Sequence, residues 1–132
     1  KFMQKLGGGY VTYFNRRYRR VGGLFQGRFK SILVDNDAYL KYLLVYINVM
    51  NPAQLVEPNL KEEGVKDKDA VWQFVETFPW STHQEYSGKR DSHLIDKGIL
   101  ANLFQIPGQY QEFAKQVLDT KNYQTIDHLT LE

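Results

Sequence analysis

Residues 13–30 hold six basic side chains and five aromatic rings in eighteen positions, as Tyr13-Phe14-Asn15-Arg16-Arg17-Tyr18-Arg19-Arg20 followed by Gly22-Gly23-Leu24-Phe25-Gln26-Gly27-Arg28-Phe29-Lys30. Charge at this density is not buried without partners, so the segment belongs on a surface. Nine Lys or Arg up to residue 41 face Asp35 and Asp37 alone, a balance of +7. The remainder carries 8 minus 13, or −5. The net charge of +2 therefore conceals a polarised chain. Guanidinium groups that fork onto phosphate oxygens, with rings between them that stack on unpaired bases, are what a nucleic-acid surface needs.

With 132 residues, 42% hydrophobic and 14% aromatic, the chain can bury one modest core with peripheral helices. No stretch approaches the roughly 18 to 20 apolar residues that span a bilayer, and no basic-then-apolar leader opens the chain, so a soluble, cytoplasmic protein with no membrane partner is expected. The lack of cysteine excludes disulfides, thiolate metal sites and a cysteine nucleophile. The chain begins at Lys1 in what reads as the interior of an amphipathic helix, which suggests a piece of a longer protein.

Phe2, Leu6, Tyr10, Tyr13, Phe14 and Tyr18 recur at spacings of three and four and predict a helix from Lys1 to about Tyr18. Gly7-Gly8-Gly9 weakens its middle, at roughly 1 kcal/mol per glycine relative to alanine. After a turn at Gly22-Gly23, the alternation and apolar run in Arg28 to Val34 predict a strand ending at Asp35-Asn36-Asp37. Asp37 is a good N-cap for a helix from Ala38 to about Met50, with Leu40, Leu43, Leu44 and Ile47 as its apolar stripe and Tyr39, Tyr42 and Tyr46 along one side. Asn51-Pro52 should stop it. Residues 58–69 read as a charged loop and Ala70 to Val75 as a short helix. Another short helix should follow Phe78-Pro79-Trp80, capped by Ser81 or Thr82. Two more are expected around His93 to Phe104 and Gly108 to Thr120.

The candidate backbone-binding residues are Arg16, Arg17, Arg19, Arg20, Arg28 and Lys30. Tyr13, Tyr18 and Phe25 are stacking candidates, each with a core role as the alternative. Three tyrosines at helical spacing are by themselves ordinary core residues. A tyrosine phenol attacks a phosphodiester only when a base or metal assists it and the leaving group is stabilised.

These segments together support a resemblance. Tyr13-Phe14-Asn15-Arg16-Arg17-Tyr18, Gly23-Leu24-Phe25-Gln26-Gly27-Arg28-Phe29-Lys30-Ser31, Asp37, Tyr39-Leu40, Tyr46-Ile47, Asn51-Pro52 and Phe78-Pro79-Trp80-Ser81-Thr82, with Glu85-Tyr86 and Gly88, run in one order over about residues 1 to 90. The series resembles the second half of the single-tyrosine DNA transposases, in particular the REP-associated branch of bacterial mobile elements. The resemblance implies an α+β fold, with this chain a mostly helical part carrying one or two strands of the family's antiparallel sheet. Residues 1–57 would close the catalytic and DNA-binding domain, and 58–132 would be a helical C-terminal tail. It also implies binding of single-stranded or hairpin DNA, with Phe25 and Gln26 among the DNA-binding residues. In the intact protein, Mg²⁺- or Mn²⁺-dependent cleavage would proceed through a 5′-phosphotyrosine, and by position Tyr46 matches the nucleophile.

Two departures bear on the metal. The family's His-hydrophobic-His pair is not in this sequence, whose histidines, His83, His93 and His128, stand far apart. His83 and His93 read as surface or capping residues. The family's further metal ligand lies one turn after the tyrosine, where this chain has Met50, with Asn51 at i+5. On a regular helix Asn51 lies about 140° around from Tyr46, so it joins the site only if the helix loosens before Pro52. Asn48 points away. Asn51 is accordingly the preferred metal residue.

A different class of reading is a transposase remnant that grips DNA hairpins and cuts nothing. A third is an interaction domain whose arginines pair only with acidic partners or with the chain's own acidic second half. An isolated strand at 28–34 would also leave a sheet edge for a second copy of the chain, giving a homodimer.

Overall fold

The computed structural model describes residues 1–119, which divide into two compact units, one over Lys1–Leu33 and one from Val34 on. The division falls inside the first of the two regions read from the sequence.

The first unit consists of helix α1, Phe2–Tyr18, and a loop to residue 33. The helix runs without a break through Gly7-Gly8-Gly9. A Cβ added at Gly8 or Gly9 would meet nothing within 4 Å, and one at Gly7 only the Phe25 ring at 3.9 Å, so no close packing demands these glycines. None of the seventeen residues of α1 is buried.

The second unit opens with α2, Asp37–Val45, which passes without interruption into a π turn, Tyr46–Met50, and then α3, Asn51–Ala53. Short helices α4, Leu60–Glu63, α5, Lys68–Thr77, and α6, His83–Tyr86, follow. A 3-10 segment, Gly98–Asn102, precedes α7, Pro107–Asp119. Val45, Val49, Met50, Ala53, Leu60, Val71, Val75, Tyr110 and Ala114 form the centre of its core, each 1% exposed or less. Each fully buried aliphatic side chain of this size favours the folded state by about 1.5–3 kcal/mol.

Several expectations are corrected. Among the described residues there is no strand, so the α+β class does not hold: this part of the protein is helical, and residues 28–34 have no regular structure. A strand needs a neighbouring strand to satisfy its backbone groups, and the described residues offer none to this segment, whose residues are exposed from Arg28 to Leu33. The sheet edge on which a homodimer rested goes with it.

The N-cap of α2 is Asn36, not Asp37: its Oδ1 accepts the Tyr39 N–H at 2.7 Å. The helix also does not stop at Asn51-Pro52. Inside an α-helix a proline ring collides with the carbonyl four residues back, but the wider π turn resets the register so that Pro52 falls in the first turn of α3. The same extra residue rearranges the apolar face: Leu44, Val45, Val49 and Met50 are buried, and Ile47 is 54% exposed. The expected helix around His93 to Phe104 reduces to the 3-10 segment. Helix α7 occupies most of the expected 108–120 range, with Thr120 and everything after it outside the described residues.

Candidate nucleic-acid interface and tyrosine site

In the first unit, α1 ends by carrying Arg16 and Arg17 in its last turn. Arg19 then adopts the left-handed conformation, φ 51 and ψ 42, with its N–H on Asn15 O. A non-glycine residue there costs roughly 1–2 kcal/mol, and Asn15 helps to hold the turn by donating from Nδ2 to Gly22 O at 2.9 Å. The rings of Tyr10, Phe14 and Tyr18 follow one another at i+4 spacing, with centroids 6.0 and 4.4 Å apart, and Phe25 lies 6.4 Å from Tyr10. The Arg20 guanidinium stands 5.7 Å from the Phe14 ring centroid.

Arg16, Arg17, Arg19, Arg20, Arg28, Lys30 and Gln26 are all exposed, as are Tyr13 at 63% and Phe25 at 61%. An open groove lined by Gly7, Gly8, Tyr10, Phe25, Gln26 and Arg28 runs along the bare stretch of α1. The unit contains eight Lys or Arg and no acidic residue. Exposed rings cost solvation and exposed guanidiniums repel each other, so the combination is suited to a polyanion carrying flat apolar groups.

In the second unit, Tyr46 begins the π turn. Its carbonyl accepts the N–H of Asn51, five residues on. Such a bond stacks i over i+5, so the backbone of Asn51 lies under that of Tyr46 and the separation of a regular helix is lifted. This is the loosening that the sequence required of Asn51. The Asn51 residue is exposed, and its Oδ1 accepts a long bond of 3.4 Å from Gln54. Tyr46 is half-buried against the core. Lys61 Nζ donates a hydrogen bond to its Oη and lies 4.5 Å from the ring centroid. Sequence reasoning missed Lys61, because it lies fifteen positions on, in a separate short helix, and no periodicity connects the two.

Asn48 belongs to a buried polar cluster. Its Oδ1 accepts from the Thr82 N–H at 3.1 Å and the Thr82 hydroxyl at 3.0 Å. Thr82 is the N-cap of α6 by position, but the side chain that accepts within that turn is Ser81, from the His83 N–H at 3.3 Å. His83, expected at the surface or as a cap, is fully buried, with Nδ1 3.1 Å from Tyr110 Oη and Trp72 edge-on at 5.4 Å. Burial lowers its pKa to about 4, so the ring is neutral at neutral pH. Burial also pushes the Tyr110 phenol up, which keeps it protonated beside the imidazole.

Much of the motif after Phe78 is structural. Arg90 grips Glu85 through Nε to Oε1 at 2.6 Å and through its terminal nitrogen to Oε2 at 2.9 Å, and also reaches the carbonyls of Ser81 and Pro79. The guanidinium beside Glu85 holds its carboxyl below the usual carboxylate range. Tyr86 is in the core. Gly88 has φ +71, a conformation L side chains rarely adopt, and a Cβ there would stand 3.2 Å from Pro107. Trp80 remains 86% exposed.

Among the described residues no three His, Cys, Asp or Glu stand together as metal ligands. His128 lies outside the described residues. No helix among them is long and apolar enough to cross a membrane. No family model, curated protein or solved structure matches the chain.

Proposed function

We propose that this chain binds single-stranded or hairpin DNA in the cytoplasm through its first unit, and that Tyr46 is the nucleophile of DNA strand transfer in the intact protein. The observation that carries the binding is the first unit itself: eight basic residues with no acidic one, exposed rings, and a long helix with nothing buried. Arg16, Arg17, Arg19, Arg20, Arg28 and Lys30 engage the backbone phosphates; Phe25, with Gln26 beside it, offers a stacking surface for a base.

For the chemistry, the phenolic oxygen of Tyr46 forms a bond to phosphorus, the bond from phosphorus to the 3′ oxygen breaks, and the freed oxygen takes a proton to become a 3′-hydroxyl. The phenolic proton leaves to water. The π turn beneath Tyr46 supports this reading, since such turns are rare and frequently found at functional sites. Mg²⁺ or Mn²⁺ belongs to the intact protein, with Asn51 the residue this chain offers toward it, and no step here depends on it.

Two variants test the two halves. Arg16→Ala with Arg17→Ala weakens binding at all sequences and reduces the salt slope by about 2, roughly 1 per phosphate contact; unchanged affinity removes the first unit as the interface. Tyr46→Phe leaves binding intact and abolishes the covalent adduct on a denaturing gel. An adduct that survives in this variant excludes Tyr46.

A further inference from the structure

We propose that Lys61 is the phosphate-binding residue of the Tyr46 site, with its Nζ holding a non-bridging oxygen of the phosphodiester against the phenolic oxygen. This rests on Tyr46 being the residue that phosphate approaches. Three observations carry it. Lys61 Nζ donates to Tyr46 Oη and also stands over its ring, so a positive charge sits at the one atom of this residue that could attack phosphorus.

Secondly, that charge has no carboxylate partner among the described residues. Of the flanking acids, Glu63 is committed to Lys66 and Asn59, Glu57 accepts the N–H groups of Lys66 and Asp67 at 2.9 and 2.8 Å, and the adjacent Glu62 makes no ion pair with Lys61. Thirdly, the preceding residue, Leu60, is buried in the core, which fixes the backbone from which Lys61 extends. The cation is thus held from both sides, by a core residue next to it and by the helix that carries Tyr46.

A donor within hydrogen-bond reach of the attacking oxygen is also close to the oxygens of the phosphorus that oxygen joins. As the Tyr46 Oη–P bond forms and the P–O3′ bond breaks, negative charge on the non-bridging oxygens is met by Nζ. Lys61 neither gives nor takes a proton in the step; it supplies fixed charge where charge accumulates.

Lys61→Met keeps an unbranched apolar stem over the ring and removes the cation; Lys61→Arg keeps the cation. In the full chain with ¹³C-labelled tyrosine rings, a single-stranded DNA oligonucleotide shifts the Tyr46 signal, the shift disappears in Lys61→Met and persists in Lys61→Arg, and the thermal midpoint of the Met variant is unchanged. A wild-type Tyr46 signal indifferent to DNA, or a shift retained in Lys61→Met, overturns the proposal. The adduct assay on the intact protein separates this from the nucleophile reading. Adduct formation slowed roughly 100-fold in Lys61→Met, of the order seen when one oxyanion donor is lost, supports both, and a wild-type rate in that variant overturns the role of Lys61. No adduct in the wild type, together with a Lys61-dependent shift, removes the nucleophile and leaves Lys61 as the phosphate-binding residue of a DNA site that cuts nothing.

Discussion

The two units of this chain use aromatic residues in opposite ways. In the second, His83, Tyr86 and Phe104 each pack on Tyr110, which is fully buried. In the first, Tyr10, Tyr13, Tyr18, Phe25 and Phe29 are all more than half exposed, on a helix and loop that bury no hydrophobic residue. The cause is whether the apolar row is covered. Helix α1 carries Phe2, Leu6, Tyr10, Phe14 and Tyr18 in one i+4 row, yet none of its residues is buried, whereas Val71 with Val75, and Tyr110 with Ala114 and Val117, lie on helix faces that the core of the second unit covers. Aromatic content and helical spacing alone thus say nothing about burial; packing neighbours decide.

That contrast can be broken at its strongest point by truncating the core. Met50→Ala costs the second unit about 2–5 kcal/mol, read as a lowered urea midpoint. A cost below about 1 kcal/mol would mean the π turn does not organise the core as described.

Acid tests the same unit through His83. Its folded pKa of about 4 lies below the ordinary histidine value of 6.5, so the unfolded chain binds the extra proton first. Stability is fully present above pH 6.5, falls as pH drops toward 4 and then levels, a loss of about 3 kcal/mol from this residue. Urea unfolding at pH 7 and pH 4.5 measures it, and His83→Gln removes most of the slope. An identical slope in the variant assigns the effect to other groups.

The first unit should respond in binding and hardly at all in stability. Phe25→Ala weakens affinity for a single-stranded oligonucleotide by about 1–3 kcal/mol, the value of one stacked base, while the unfolding midpoint stays put, as for an exposed residue. A loss of stability without loss of binding would make Phe25 a packing residue and reverse the comparison. The smallest effect is expected at Gly8→Ala, which strengthens α1 by about 0.5–1 kcal/mol, since its Cβ enters open space. If it also weakens DNA binding, the bare helix face is where a ligand's backbone or base comes close.

Helix α1, the start of α2 and helices α5 and α7 were legible because their signal, apolar recurrence at three and four, is local; the caps were not, since Asn36 rather than Asp37 caps α2, and Asp67, read as part of a charged loop, caps α5. The strand at 28–34 was misread because alternation shows only that a segment could pair, while pairing needs a partner. His83 was misread because burial belongs to neighbours brought from far along the chain, here Tyr110, which lies 27 positions away. Of the candidate site, Tyr46 and the basic residues stood out in the sequence, and Lys61 did not.

By itself the sequence determined the charge asymmetry, the surface character of the arginine-rich segment and most helix positions, because these depend on residue type and on spacings of a few positions. Only the tertiary structure decided that the helix after Val45 widens by one residue, carries Asn51 beneath Tyr46 and sets a lysine against the phenolic oxygen. Proline geometry permits such a widening, and core packing holds it: Val45, Val49, Met50 and Ala53, which lie before, within and after the π turn, are all buried.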